Sequence, residues 1–232
     1  MKTILVIGAG RGIGLEVVKR LAGEHKVYAV TRNLSPELQA TGAICFEEDV
    51  NLSCHFVSQL PDVLHGLVYC PGSITLKPFA RLNESDFVND LNQNVLSAIK
   101  VTQAVLPQLK KSGSASIVFY STVAVKMGMP FHASVALSKG ALEGLTKSLA
   151  AELAGNSIRV NAIAPSLTDT HLAAALLSTD EKREAAAKRH PLNKIGNPQH
   201  LAALSCFLLE ENAEFITGQI IGADGGLGSV RV

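Results

Sequence analysis

The chain has 232 residues, with 21 basic and 20 acidic side chains and a formal net charge of +1. That length is enough for one large domain with a sizeable core, and so small a net charge excludes a global electrostatic match to nucleic acid or an anionic membrane. The four cysteines, Cys45, Cys54, Cys70 and Cys206, form no C-x-x-C pair, which argues against a metal site and for free thiols in a reducing compartment.

The opening "MKTILVIGAG" is basic and then apolar, but its apolar run is too short for a secretory signal. No stretch is long and apolar enough to span a bilayer, so a cytoplasmic location is expected. Residues 3–8, "TILVIG", read as a first strand. Residues 12–24 follow at helical spacing, with Ile13, Val17, Val18 and Leu21 on one side. Further strands are expected at 26–32, 42–49 and 64–70. Residues 84–112 form one long helical pattern, 115–121 a fifth strand, and 135–155 a second long helix closed by Gly155. A sixth strand at 157–165 precedes an alanine- and leucine-rich helical stretch within 166–196. A helix over 198–210 has Asn197 as its N-cap and Pro198 at its first position, and 218–226 is the last strand. Apolar strands alternating with helices imply parallel strands buried on both faces. The expected fold class is α/β, one doubly wound parallel sheet of about seven strands with helices on both faces.

The run "VIGAGRGIG" sets Gly8, Gly10, Gly12 and Gly14, with Arg11 and Ile13 between them, where the first strand turns into the first helix. Glycines there permit a tight turn and a close approach of backbone to a pyrophosphate, which the helix N-terminus receives with N–H donors. Sheets that bind NAD often carry an acid at the end of the second strand for the ribose 2′-hydroxyl. This chain has Thr31, Arg32 and Asn33 there instead. With Arg11 close by in the loop, two guanidinium groups suit a 2′-phosphate, so NADP(H) is expected over NAD(H).

From end to end the chain resembles the short-chain dehydrogenase/reductase family, nearest to its bacterial 3-oxoacyl-carrier-protein reductase type. The resemblance rests on the glycine spacing, on Asp49-Val50 after the third strand, on Asn94 in "NQNVLSAIKVTQA", and on "SIVFYSTVA", "RVNAIAPSLTDT", "HPLNKIGNP" and "ITGQIIGADGG". It implies a single Rossmann-like domain over residues 1–232. It also implies an adenine contact at Asp49 and Val50, and cofactor contacts at Pro165, Ser166, Thr168 and Thr170. In the family a tyrosine protonates the carbonyl oxygen while hydride reaches the carbon. A lysine four residues on lowers that tyrosine's pKa and holds the nicotinamide ribose, a serine orients the carbonyl, and an asparagine supports a water relay. Here the lysine is Lys139, the asparagine is Asn94, the serine position holds Thr122, and the tyrosine position holds Val135. The family's Asn-Asn-Ala-Gly is Tyr69-Cys70-Pro71-Gly72, so Cys70, Pro71 and Gly72 form a changed wall beside the nicotinamide. The glycine of its Pro-Gly loop is Ser166.

Valine neither donates nor titrates, so the proton needs another source. An unperturbed imidazole pKa of ~6.5 suits proton transfer, so His132 is one candidate; Lys139, or a water held by Asn94, Thr122 and Lys139, is another. Tyr69 and Tyr120 read as structural aromatics, Ser134 and Ser138 as helix-start and helix-surface hydroxyls, and Cys70 as a buried inert thiol. Residues 166–196 are expected to cover a small-molecule substrate, with Leu172, Leu176 and Leu177 facing either an apolar pocket or the core. The family resemblance implies a homodimer or homotetramer through the two long helices. Two functions remain open at this level. One is an NADP(H)-dependent oxidoreductase with an altered proton route. The other is a dinucleotide-binding homologue without turnover, serving as a cofactor sensor or partner subunit.

Overall fold

Short runs rich in valine, isoleucine and leucine form the sheet in this computed structural model, which describes residues 1–231. Its strands are β1 (Thr3–Ile7), β2 (Lys26–Thr31), β3 (Ile44–Glu47), β4 (Gly66–Tyr69), β5 (Ala115–Tyr120), β6 (Ile158–Pro165) and β7 (Ile220–Ala223). All seven pair in parallel, in the order β3-β2-β1-β4-β5-β6-β7. The order reverses between β1 and β4, where Ile7 lies opposite Tyr69. Ligands of open parallel sheets bind in the crevice beyond the strand ends at such a reversal.

The helices are α1 (Gly12–Leu21), α2 (Pro36–Gln39), α3 (Glu84–Leu91), α4 (Ser97–Lys111), α5 (Val123–Lys126), α6 (Ala133–Leu153), α7 (Asp180–Lys188) and α8 (Pro198–Leu209). Two apolar layers sandwich the sheet. Leu15 and Val17 of α1 and Leu201 and Leu208 of α8 pack on one face. Val101 and Val105 of α4 and Leu142 and Ala150 of α6 pack on the other. Such fully buried aliphatic side chains each contribute roughly 1.5–3 kcal/mol of transfer free energy. The expected doubly wound architecture is therefore the observed one.

Two local expectations fail. The pattern over 84–112 is not one regular helix, because a π-helical turn at Asn92–Leu96 separates α3 from α4. The second long helix is not closed by Gly155. It tightens into a 3₁₀ turn at Ala154–Asn156, and Ser157 (φ 56°) takes the left-handed position that ends it. Asn197 caps α8 as expected, accepting from Gln199 N at 2.8 Å, with Pro198 at the first position.

Candidate functional site

The glycine loop is shaped by contacts that leave no room for side chains. A Cβ on Gly14 would stand 2.3 Å from the carbonyl oxygen of Gly8, so only glycine lets α1 start this close to β1. Gly12 lies in the left-handed region at φ 57°. Arg11 is the N-cap of α1 and makes no side-chain capping bond. The first-turn N–H groups therefore stay available to a ligand. They face a cavity of about 510 Å³ lined by Gly8, Gly10, Arg11, Gly12, Ile13, Gly14, Thr31, Arg32, Asn33, Asp49, Val50, Cys70, Pro71, Gly72 and Thr170. An open helix N-terminus above glycines fits a dinucleotide pyrophosphate. Arg11 and Arg32 are exposed, and among the described residues neither has an ion-pair partner.

A second cavity, of about 420 Å³ and mostly apolar, adjoins the first. The two share Ile13, Cys70, Gly72, Thr170 and Leu172. Thr122, His132, Val135, Lys139, Pro165, Ser166 and Thr168 line the second cavity. The chain enters α6 through Phe131, held at φ 68°, a conformation that is rare for a bulky side chain. Val135 and Lys139 then fall one turn apart on the buried face of α6. Lys139 Nζ donates to the carbonyl of Tyr120, at the end of β5, at 2.7 Å. Burial pulls its ammonium down to about 8, opposed by Cys70 and Asp90. Thr122 Oγ1 caps α5 by accepting from Ala124 N at 3.3 Å. That bond uses its lone pair and leaves its own proton free to donate. The His132 ring is half-buried, and its Nδ1 is 2.7 Å from the carbonyl of Pro130.

The structural readings of the aromatics agree with these surroundings, whereas Cys70, expected to be buried, is half-buried and lines both cavities. Tyr69 is buried, its hydroxyl bonded to Gln93 O and Ser97 Oγ. Tyr120 turns its hydroxyl toward α8, onto Ser205 Oγ at 2.5 Å. Burial raises both phenols above their ordinary range. Burial also pushes the Cys70 thiol up to about 12, which keeps it protonated and unreactive.

Ser134 and Ser138, expected at the helix start and surface, are not surface groups. Ser134 and Ser138 are fully buried, because α3 and the π turn close over that face of α6. Ser134 Oγ donates to Asp90 Oδ2 at 2.7 Å, and Ser73 Oγ donates to Asp90 Oδ1 at 2.6 Å. Asn94 accepts from Ser73 N and donates to Ser138 Oγ, each at 2.9 Å. Asn94 is thus fully buried behind the cavity wall, joining the loop after β4 to α6 rather than lining either cavity. A Cβ on Gly72 would lie 3.3 Å from its Oδ1 and 3.4 Å from Lys139 Nζ. The sequence reading missed Asp90 as the centre of this network. The only signal for it was an acid on the apolar side of a helical pattern.

The segment after β6 runs over the second cavity. A 3₁₀ stretch at His171–Leu177 leads into α7. Leu172 and Leu176 line the cavity, whereas Leu177 packs with Ala173 and Ala186 in a small cluster of its own. His190 was also missed as a member of the site. It lines the cavity with only 3% of its surface exposed. Among the described residues, no group of histidines, cysteines and acids is placed to hold a metal, and no helix is long and apolar enough to cross a membrane.

Comparison with known proteins bears on this geometry. A family model described as enoyl-(acyl carrier protein) reductase matches residues 8–228. A tropinone reductase homolog of Arabidopsis thaliana is 34% identical over 242 residues, covering 97% of this chain and 91% of its own. A short-chain type dehydrogenase/reductase from Mycobacterium ulcerans aligns with a TM-score of 0.90 at 27% identity, over 99% of this chain and 90% of that one. The structure of ElxO with NADP bound aligns with a TM-score of 0.88 at 26% identity, over 99% of this chain and all of the other. With the family model spanning nearly the whole sheet and relatives aligned end to end, this chain belongs to the short-chain dehydrogenase/reductase family.

Proposed function

We propose that this chain is an NADP(H)-dependent oxidoreductase that interconverts a ketone and an alcohol on a small apolar substrate, by a proton route that does not use a tyrosine at position 135. The observation that carries this reading is Lys139. Its amine is buried, anchored to Tyr120 O on the wall of the apolar cavity, where a Cβ on Gly72, a residue both cavities share, would lie 3.4 Å from it. NADP(H), when bound, supplies or accepts the hydride. Arg11 and Arg32 hold the 2′-phosphate, the α1 N-terminus holds the pyrophosphate, and Asp49 and Val50 border the adenine. Lys139, Pro165, Thr168 and Thr170 bound the nicotinamide end. Thr122 donates its free hydroxyl proton to the substrate oxygen as a hydrogen bond and orients the carbonyl. Asn94 keeps the loop after β4 against α6, and the segment over 166–196 excludes water from the reacting carbon. The NADP bound in the ElxO structure supports NADP as the ligand of a chain of this fold. Assembly as a homodimer or homotetramer through α4 and α6 belongs to the same reading, supported by the exposed Leu96, at the end of the π turn leading into α4, and Leu137 on α6.

Fluorescence titration with NADPH and NADH, followed by NADPH-consumption assays on 2-alkanones and β-ketoesters, tests this function. Wild type is expected to bind NADPH more tightly than NADH and to consume it with at least one ketone class. Arg32→Ala is expected to weaken NADPH by about tenfold, as loss of a charge-assisted contact implies, and NADH much less. Equal loss for the two cofactors overturns the 2′-phosphate assignment. Binding without consumption, with activity appearing in Val135→Tyr, would leave only a cofactor-binding role.

A further inference from the structure

Val135 puts no acid on the α6 wall of the substrate cavity, but the β6 wall carries one that nothing above has used. Ser166 follows the last residue of β6 and lines the cavity. Its Oγ lies 2.8 Å from His190 Nε2. On the other side of the ring, His190 Nδ1 lies 2.9 Å from the carbonyl of Ala186, in α7. A carbonyl only accepts, so Nδ1 must carry a proton. In the neutral ring Nε2 is then bare, and it accepts the Ser166 hydroxyl proton. The ring is held in that orientation. A Cβ on Gly225 would sit 3.4 Å from His190 Cβ and 3.5 Å from its Cδ2, so the turn after β7 closes directly on the imidazole. Among the described residues, no carboxylate lies within ion-pair distance of His190. The charged groups around it are Arg189 beside it in the chain, Lys182 of α7, Lys139 on the cavity wall, and Asp224 before Gly225, whose carboxylate is taken by Gly226 N and Gly228 N.

The geometry points to Ser166 as the residue that exchanges a proton with the substrate oxygen, with His190 behind it as the positioning residue that takes up or returns that proton. This rests on the oxidoreductase reading above. In the reducing direction the carbonyl carbon gains hydride from the reduced dinucleotide, and the π pair of the C=O bond moves onto oxygen. Ser166 Oγ–H gives its proton to that oxygen while protonated His190 passes its Nε2 proton to Oγ. The products are an alcohol, an oxidised dinucleotide, an intact serine and a neutral imidazole still holding its Nδ1 proton on Ala186 O. Solvent at the cavity mouth then reprotonates the ring. In the oxidising direction every transfer reverses, starting from a neutral serine and a neutral imidazole.

Two measurements test this pair, with 2-octanone and 2-octanol as probes. The first is steady-state and single-turnover reduction of 2-octanone by wild type, Ser166→Ala, Ser166→Thr, His190→Gln and His132→Gln, with NADPH affinity measured alongside. Ser166→Ala and His190→Gln are expected to lose about 10²-fold in kcat, within the range for general acid–base catalysis. Their KM and NADPH affinity should stay within about twofold, and Ser166→Thr should keep most of the rate. The second reads the imidazole ¹⁵N signals of the cofactor-free protein. His190 is expected to show a protonated Nδ1 and a bare, hydrogen-bonded Nε2. Adding 2-octanol should shift the Nε2 signal in wild type and leave it unmoved in Ser166→Ala. Turnover unchanged in Ser166→Ala, a loss confined to His132→Gln, or a proton found on Nε2 instead of Nδ1 overturns the relay and leaves the oxidoreductase reading standing. Absence of NADPH consumption by wild type with every ketone overturns both.

Discussion

Lys139 carries an amine that the fold strips of water, at a cost that depends on pH. Its folded pKa of about 8 lies below the ~10.4 of an unfolded lysine. Below pH 8 both states are protonated, and the folded chain bears the whole cost of a buried ammonium. Between the two values the unfolded chain binds more protons, so stability rises with pH, and above both the cost is gone. At ~1.4 kcal/mol for each tenfold change in proton affinity, removing the amine relieves up to about 3 kcal/mol at pH 7. The lost bond to Tyr120 O takes back about 1 kcal/mol. Lys139→Met is therefore expected to melt about 5 °C above wild type at pH 7. The gain should shrink as pH rises past 8, reach zero near pH ~10 and turn into a loss of about 1 kcal/mol above it, where only the missing bond to Tyr120 O remains, and NADPH affinity should fall. Thermal melts across that pH range and a fluorescence titration check both parts. A gain that is the same at every pH would contradict the buried-charge explanation.

Helix α1 and the π turn show how much an element owes to distant segments. The start of α1 is a contact between backbones. A Cβ at Gly14 meets Gly8 O at 2.3 Å and Gly8 C at 2.9 Å, and neither atom is the free end of a flexible side chain. Gly14→Ala is expected to destabilise by about 3 kcal/mol, at the upper end of the usual cost of overpacking, and to abolish dinucleotide binding. Denaturant unfolding and NADPH titration measure the two effects. That requirement was legible in the glycine spacing because it arises within a few residues of chain. The π turn at Asn92–Leu96 was not. Local periodicity over 84–112 is satisfied by a regular helix. What the wider turn accompanies is the pairing of Asn94 with Ser73 and Ser138, which lie on other elements.

Across the whole molecule the two cavities form one continuous trough around the point where the strand order reverses. The polar half is built by the β1–α1 and β2–α2 connections. The apolar half is built by the ends of β5 and β6, the start of α6 and the segment leading into α7. This division predicts separable effects. Leu176 lines only the apolar half and is 41% exposed, so a charge there costs little stability while spoiling the lining. Leu176→Asp is expected to raise KM for 2-alkanones by about tenfold, the worth of roughly one buried methylene or two. NADPH affinity and melting temperature should stay near wild type, as ketone kinetics, cofactor titration and a thermal melt will show. If ketone KM is unchanged, the segment over 166–196 does not cover the substrate.

Alternating apolar strands and helices were sufficient by themselves to imply a parallel sheet with helices on both faces, because only that arrangement buries both sides of such strands. The glycine loop was legible because its residues are close in sequence and so close in space, and Arg11 and Arg32 because both follow the ends of neighbouring parallel strands, β1 and β2. The apolar character of Val135, one turn before Lys139, could also be read directly from residue type and spacing. Only the tertiary structure decided what surrounds that position. Asp90 gathers hydroxyls from Ser73, Thr75 and Ser134, and Ser166 meets His190 across 24 residues of chain. No periodicity encodes such contacts. They exist because α3 closes on α6 and because the segment after β6 folds back over the cavity, placing side chains together that the chain itself keeps apart.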